Sequence, residues 1–95
     1  MGATLNVASG LDAYALTDRA TWLKFGNKGY LAILVDGDER LFNQYGAILV
    51  NRDKHPHVKT DDGQKFIDWL LSEAGQTTIN AYRIEGQQAF FANAR

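Results

Sequence analysis

With 95 residues, 45% of them hydrophobic and 22% charged, the chain has the composition of a folded domain or a piece of one, which argues against a disordered segment. A net charge of −1, with both signs mixed along the chain, leaves no footprint for a nucleic-acid duplex or an anionic membrane surface. The lack of cysteine excludes disulfides, thiol catalysis and cysteine-based zinc sites, and no apolar run approaches the roughly 20 residues that span a bilayer.

The opening stretch "MGATLNVASGLD" places Leu5, Val7, Ala8 and Leu11 at helical spacing and predicts a short helix, or the end of one, with Gly10 as its stop. It carries no basic region followed by an apolar stretch, so an export signal would have to lie upstream. "AYAL" (13–16) is short, apolar and bounded by turn formers, as a buried strand is. Thr17 has the chemistry of an N-cap, Asp18 suits the positive end of a helix, and Trp22, Leu23 and Phe25 form its apolar face. "GNKG" (26–29) closes that helix.

"YLAILV" (30–35) and "GAILV" (46–50) lack polar alternation and predict buried strands of the parallel-sheet type. Between them "DGDE" reads as a turn and "RLFNQY" as irregular chain. "NRDKHPHVK" is a polar loop with the only proline. Thr60 is expected to cap a helix bearing Phe66, Ile67, Trp69, Leu70 and Leu71, with Asp61 and Asp62 in its first turn. Ser72 is expected to cap a second helix, "EAGQTTINAY", and the chain ends on the apolar pair Phe90 and Phe91 close to a polar tail. Strands alternating with helices predict an α/β architecture, yet the chain is short of the helices that would cover both faces of such strands.

Chemistry is concentrated in few places. Thr17, Asp18 and Arg19 after a strand admit two readings: a plain cap with a surface ion pair, or an anion site of free N–H groups, a hydroxyl and a guanidinium. His55 and His57 flank Pro56, but a third metal ligand beyond Asp53 is not evident, so a solvated loop is the expectation and no metal is assigned. Asp36, Asp38 and Glu39 fit a turn around Gly37 more simply than a cation site or an acid/base pair. No nucleophile–base spacing, phosphate-cradling loop or basic aromatic stripe supports an enzyme, a cofactor or nucleic-acid binding.

Taken together, "MGATLN", "AYALTDRATWL", "ILVDGDERLFNQYGAILVN", "KHPHVK" and "FIDWLLSEAGQTTINAYRIEGQQAFF" resemble the C-terminal portion of the tungstate-binding proteins of bacterial ABC transporters, a branch of the type II periplasmic solute-binding proteins. The matching stretches cover essentially the whole chain. Ala15 and Ala20 stand where the family usually has threonine and glycine, and Asn43-Gln44-Tyr45 where it often has Asn-Pro-Tyr. The loss of a hydroxyl at Ala15 removes one possible ligand group.

The resemblance implies a partial type II periplasmic-binding-protein fold of the α/β class. Residues 1–36 would be the end of the second lobe, 37–45 the crossing segment, and 46–95 the C-terminal elements that pack on the first lobe. The family's N-terminal hydroxyl-rich motif and its Arg-Gly-Asp…Ser-Gly-Thr-His segment are not in this sequence, and the resemblance implies that they precede it. It further implies an oxyanion ligand, tungstate or molybdate, a membrane permease as partner, and a periplasmic or extracellular, membrane-associated location. Tyr14, Thr17 and Arg19 are the candidate cleft-lining residues, since ligands gather where strands of an open sheet meet helix N-termini. A surface left bare by a missing lobe would favour pairing with a second copy. The rival reading is a stand-alone α/β sensing or interaction module without a transport role, and a small enzyme using Asp18 with His55 or His57 ranks last.

Overall fold

The computed structural model describes residues 1–94. Four helices come in chain order: α1 (Gly2–Leu11), α2 (Arg19–Lys24), α3 (Thr60–Leu71) and α4 (Glu73–Ala81). They are followed by a two-stranded antiparallel hairpin, β1 (Arg83–Ile84) and β2 (Gln87–Gln88), with Arg83 opposite Gln88 and Ile84 opposite Gln87. A single 3-10 turn at Glu39–Leu41 punctuates the long connection between α2 and α3.

The first helix forms where its spacing predicts it and buries Leu5 and Ala8, one turn apart, while Val7 and Leu11 stay exposed. It ends one residue beyond the expected glycine: Gly10 is still helical, and Asp12 takes the left-handed conformation (φ 52°) that closes the helix. Asp tolerates this geometry better than most residues because its short polar side chain bonds locally. Leu23 of α2 and Ala89 after the hairpin complete a small core with Leu5 and Ala8.

At the start of α2 the cap is displaced by one residue from Thr17. Asp18 is the N-cap, its Oδ1 accepting from the Thr21 backbone N–H at 2.8 Å and its Oδ2 from the Thr21 hydroxyl at 2.9 Å. A carboxylate offers a separate oxygen to each of the two Thr21 donors, whereas a hydroxyl would have to take both on one atom. The Thr21 backbone bond, foremost, holds the Asp18 carboxyl below its ordinary pKa. A group lowered in the folded state adds stability that is full above its unfolded pKa and is lost as pH falls through the folded one. Asp18→Ala is therefore expected to cost about 1 kcal/mol at neutral pH, and the variant's deficit should shrink below about pH 4 in urea unfolding curves.

Thr60 likewise does not cap α3. It is the first helical residue, Lys59 precedes it without a side-chain cap bond, and Asp61 and Asp62 supply first-turn acids as expected. Ser72 performs as expected, and twice over: it is the C-cap of α3 and the N-cap of α4, its Oγ accepting from the Gly75 N–H at 3.1 Å and donating to the Trp69 carbonyl. The Gln76 amide donates to the Leu70 carbonyl at 2.6 Å, tying the second helix to an orphan carbonyl of the first.

The expected buried strands at 13–16, 30–35 and 46–50 do not form within this chain. These stretches lie outside any ladder, and Tyr14, Leu16, Tyr30, Leu34, Val35 and Ile48 are all more than 60% exposed. A parallel strand exists only by pairing, and no described segment runs beside them as a neighbour. The α/β character is consequently confined to helices plus one short hairpin, an element absent from the sequence-based expectation. Its turn is Glu85-Gly86, with φ of 52° and 76°, the backbone of a type I′ connection. The radius of gyration is 17.3 Å, against roughly 12 Å for a compact domain of this length, so apolar segments are spread out and uncovered.

The C-terminal tail is laid down by amide side chains. Gln44 and Asn93 exchange two hydrogen bonds (3.2 and 2.9 Å), Asn80 Oδ1 accepts from the Ala92 N–H and Gln76 Oε1 from the Ala94 N–H. Phe90 meets the Tyr45 ring edge-on at 5.9 Å and stacks near Tyr82 at 6.2 Å. The tail thus joins residues 44–45 to α4 and the hairpin.

Candidate functional site

The segment from residue 14 to residue 19 delivers the three candidate side chains. Tyr14 is 92% exposed and lines an open, mostly apolar hollow against α1 with Thr4, Val7 and Leu16; that hollow includes neither Thr17 nor Arg19. Thr17 is half-buried, and its hydroxyl donates to the Asp18 carbonyl at 3.2 Å. Arg19, the first residue of α2, turns away from Asp18 and reaches Asp36, at the end of the apolar run 30–35. The three residues share one stretch of chain, and only Tyr14 of them lines the hollow against α1.

The Arg19 contact is specific. Its Nη2 donates to both carboxylate oxygens of Asp36, at 2.8 and 2.7 Å, and the guanidinium carbon lies 5.8 Å from the centre of the Phe91 ring. The surface ion pair expected between neighbours 18 and 19 is therefore replaced by a longer-range pair between 19 and 36. Asp36 and Phe91 were not singled out as Arg19 partners from the sequence; the one signal was an acid closing an apolar run.

This geometry limits how an anion can be held at α2. The helix is short and its Thr21 N–H is already taken by the Asp18 carboxylate, which would repel a second negative charge at the same place. The donors left among the three are the Tyr14 hydroxyl and the unused N–H groups of Arg19; the Thr17 hydroxyl would have to give up its bond to the Asp18 carbonyl to join them. Such a set suits an acceptor-only ligand with several oxygens and offers no nucleophile–base pair.

The other polar clusters make local contacts. Asp38 caps the 3-10 turn by accepting from the Arg40 backbone N–H at 2.8 Å and holds the Arg40 guanidinium at 2.8 and 3.0 Å. The Arg40 guanidinium, then its backbone N–H, lowers the Asp38 carboxyl pKa, and Asp38 raises that of Arg40. Gly37, at φ 77°, supplies the bend before it, in line with the turn reading. In the polar loop Asn51 Oδ1 accepts from the Asp53 and Lys54 N–H groups, while the rings of His55 and His57 meet edge-on at 6.1 Å. Among the described residues no group of three or more His, Asp or Glu side chains is placed to hold a metal ion.

The PBP superfamily domain matches residues 1–74, more than three quarters of the chain. The chain belongs to the PBP superfamily. Within it, a tungstate-binding protein TupA from Peptoclostridium acidaminophilum is 40% identical over 96 residues, covering 99% of this chain and 34% of the relative. A putative ABC transporter anion-binding protein from Haloferax volcanii is 38% identical over 99 residues, covering 99% of this chain and 29% of the relative. A tungstate-binding protein TupA from Campylobacter jejuni is 28% identical over 99 residues, covering the whole chain and 37% of the relative. These names agree with the resemblance read from the motifs between "AYALTDRATWL" and "GQQAFF". The chain spans about a third of the length of these PBP-superfamily relatives. No solved structure matches it.

Proposed function

We propose that this chain is part of the solute-binding component of an ABC transporter, and that its ligand is a tetrahedral oxyanion of the tungstate or molybdate type. The observation that carries the proposal is the end-to-end match to relatives named for binding tungstate or an anion, with nearly the whole of this chain aligned to each. The donor set supports it. Hydroxyls and N–H groups can replace the hydration shell of a dianion, and a guanidinium adds charge-assisted bonds. Tyr14, Thr17 and Arg19 are this chain's share of the site.

On this reading residues 1–36 close a second lobe, 37–45 cross back and 46–95, the last of which lies outside the described residues, pack on the first lobe, in a type II periplasmic-binding arrangement. The exposed runs 30–35 and 46–50 then find their strand partners in the rest of the protein. When the segment is alone, the same apolar surface is where a second copy would pair. Closure of the two lobes around the anion is what a membrane permease would read, and the protein works outside the cytoplasmic membrane as a binder with no catalytic step. No described helix is long and apolar enough to cross a membrane.

A thermal-shift series tests the ligand class on the protein translated from the whole reading frame that contains this segment. Tungstate at about 100 times its Kd adds about 2.7 kcal/mol to the folded state, which raises Tm by about 5–10 °C in a two-lobed protein. The same concentration of sulfate should leave Tm within a degree. A flat response to tungstate and molybdate alike would refute the proposal.

A further inference from the structure

Arg19 is held from two sides by residues far away in sequence. Asp36 accepts from its Nη2 with both oxygens, and Phe91, on the tail, lies beneath the guanidinium. The pair is partly open to solvent, with the Arg19 side chain 34% and the Asp36 side chain 54% exposed. An ion pair so exposed adds little to stability. What it changes is where a long, rotamer-rich side chain points, because a guanidinium tethered at one nitrogen has lost most of the freedom it would give up on binding. Among the described residues neither Nε nor Nη1 of Arg19 makes a hydrogen bond, so these N–H groups remain for another acceptor.

We infer that Asp36 is a positioning residue for the oxyanion site: it anchors Arg19 through Nη2 so that the Nε and Nη1 hydrogens face the ligand. The inference rests on the oxyanion reading given above. It assigns Asp36 no direct contact with the anion, which its own negative charge would oppose. It also lowers the net charge near the ligand, so that recognition at Arg19 depends on the direction of its N–H groups more than on unscreened attraction for any anion.

The test is a double-mutant cycle of tungstate affinity in the protein from the whole reading frame, measured calorimetrically for the unmodified protein, Asp36→Asn, Asp36→Glu, Arg19→Ala and Arg19→Ala with Asp36→Asn. Asp36→Asn is expected to weaken binding about three- to five-fold, the scale of one part-exposed charged contact. Asp36→Glu should restore most of the loss, and Asp36→Asn should have no further effect once Arg19 is alanine. Unchanged or tighter binding by Asp36→Asn would overturn the inference, the latter by showing that Asp36 competes with the anion for Arg19. Equal weakening in both backgrounds would overturn it too, since Asp36 would then act without Arg19. Absence of tungstate binding by the unmodified protein would instead refute the oxyanion reading itself, and the positioning role with it.

Discussion

Gly75→Ala is expected to destabilise the α3–α4 corner by about 2 kcal/mol, although alanine is the better helix former. A Cβ at residue 75 would sit 2.0 Å from the Trp69 carbonyl oxygen and 2.9 Å from its carbon, both backbone atoms that no rotamer change can move. Relieving such overpacking costs about 3 kcal/mol, while the helix-propensity gain of alanine over glycine returns at most about 1 kcal/mol. The steric term wins. The corner is tight because Ser72 ends one helix and starts the next with no linker between them, so the first turn of α4 lies against the last turn of α3. Gly10→Ala is the control: nothing lies within 4 Å of its Cβ position, so the same propensity gain should appear unopposed as a small stabilisation. Urea unfolding of both variants measures the difference. A neutral Gly75→Ala would show that the two helices can separate at no cost.

Arg19→Ala is expected to weaken tungstate binding by about 10- to 100-fold, the 1.5–3 kcal/mol scale of hydrogen bonds to a charged group. Its effect on folding should be far smaller, because the Asp36 pair it breaks is partly exposed and Arg19 is not part of the buried core. Affinity and stability should therefore separate. Arg19→Lys keeps the charge but loses the planar set of donors, and should recover only part of the affinity. Calorimetric titration with parallel melting curves checks both statements. Equal affinity for the Arg19→Ala protein would remove Arg19 from the site and leave the Tyr14 and Thr17 hydroxyls to be tested in the same way.

The parts of this fold that are settled locally were legible in the sequence. The helix at 60–71, the Ser72 junction and the helix after it depend on spacing, first-turn acids and one hydroxyl, all within a few residues. The polar loop at 51–59 follows from Asn51 and Pro56 in the same way. Capping at Thr17 was off by one residue because Asp18 also fits a cap, and the choice is decided by the second bond that its carboxylate makes to the Thr21 hydroxyl. The hairpin was missed because its strands are two residues each, too short for an alternating pattern, although Glu85-Gly86 carried the turn signal.

Strands were the part that local pattern could not decide. The runs 30–35 and 46–50 are apolar enough to belong in a sheet, but pairing is a property of two segments, and a run of Ile, Leu and Val does not name its neighbour. For the proposed site, the candidates at 14, 17 and 19 rest on their residue types and on the resemblance. What tethers Arg19 did not, because Asp36 is 17 residues away and Phe91 lies 72 residues away at the other end of the chain. Contacts of that range are made by tertiary packing, which leaves no periodic trace in the sequence.

The most direct measurement is a calorimetric titration of tungstate into the protein carrying this segment, with sulfate run at the same concentrations. Saturable heat at one anion per protein, with sulfate at least about 100-fold weaker, is the result expected of an oxyanion-binding transport component; that ratio corresponds to about 2.7 kcal/mol of discrimination. No heat from a folded sample, or equal affinity for both anions, would contradict it.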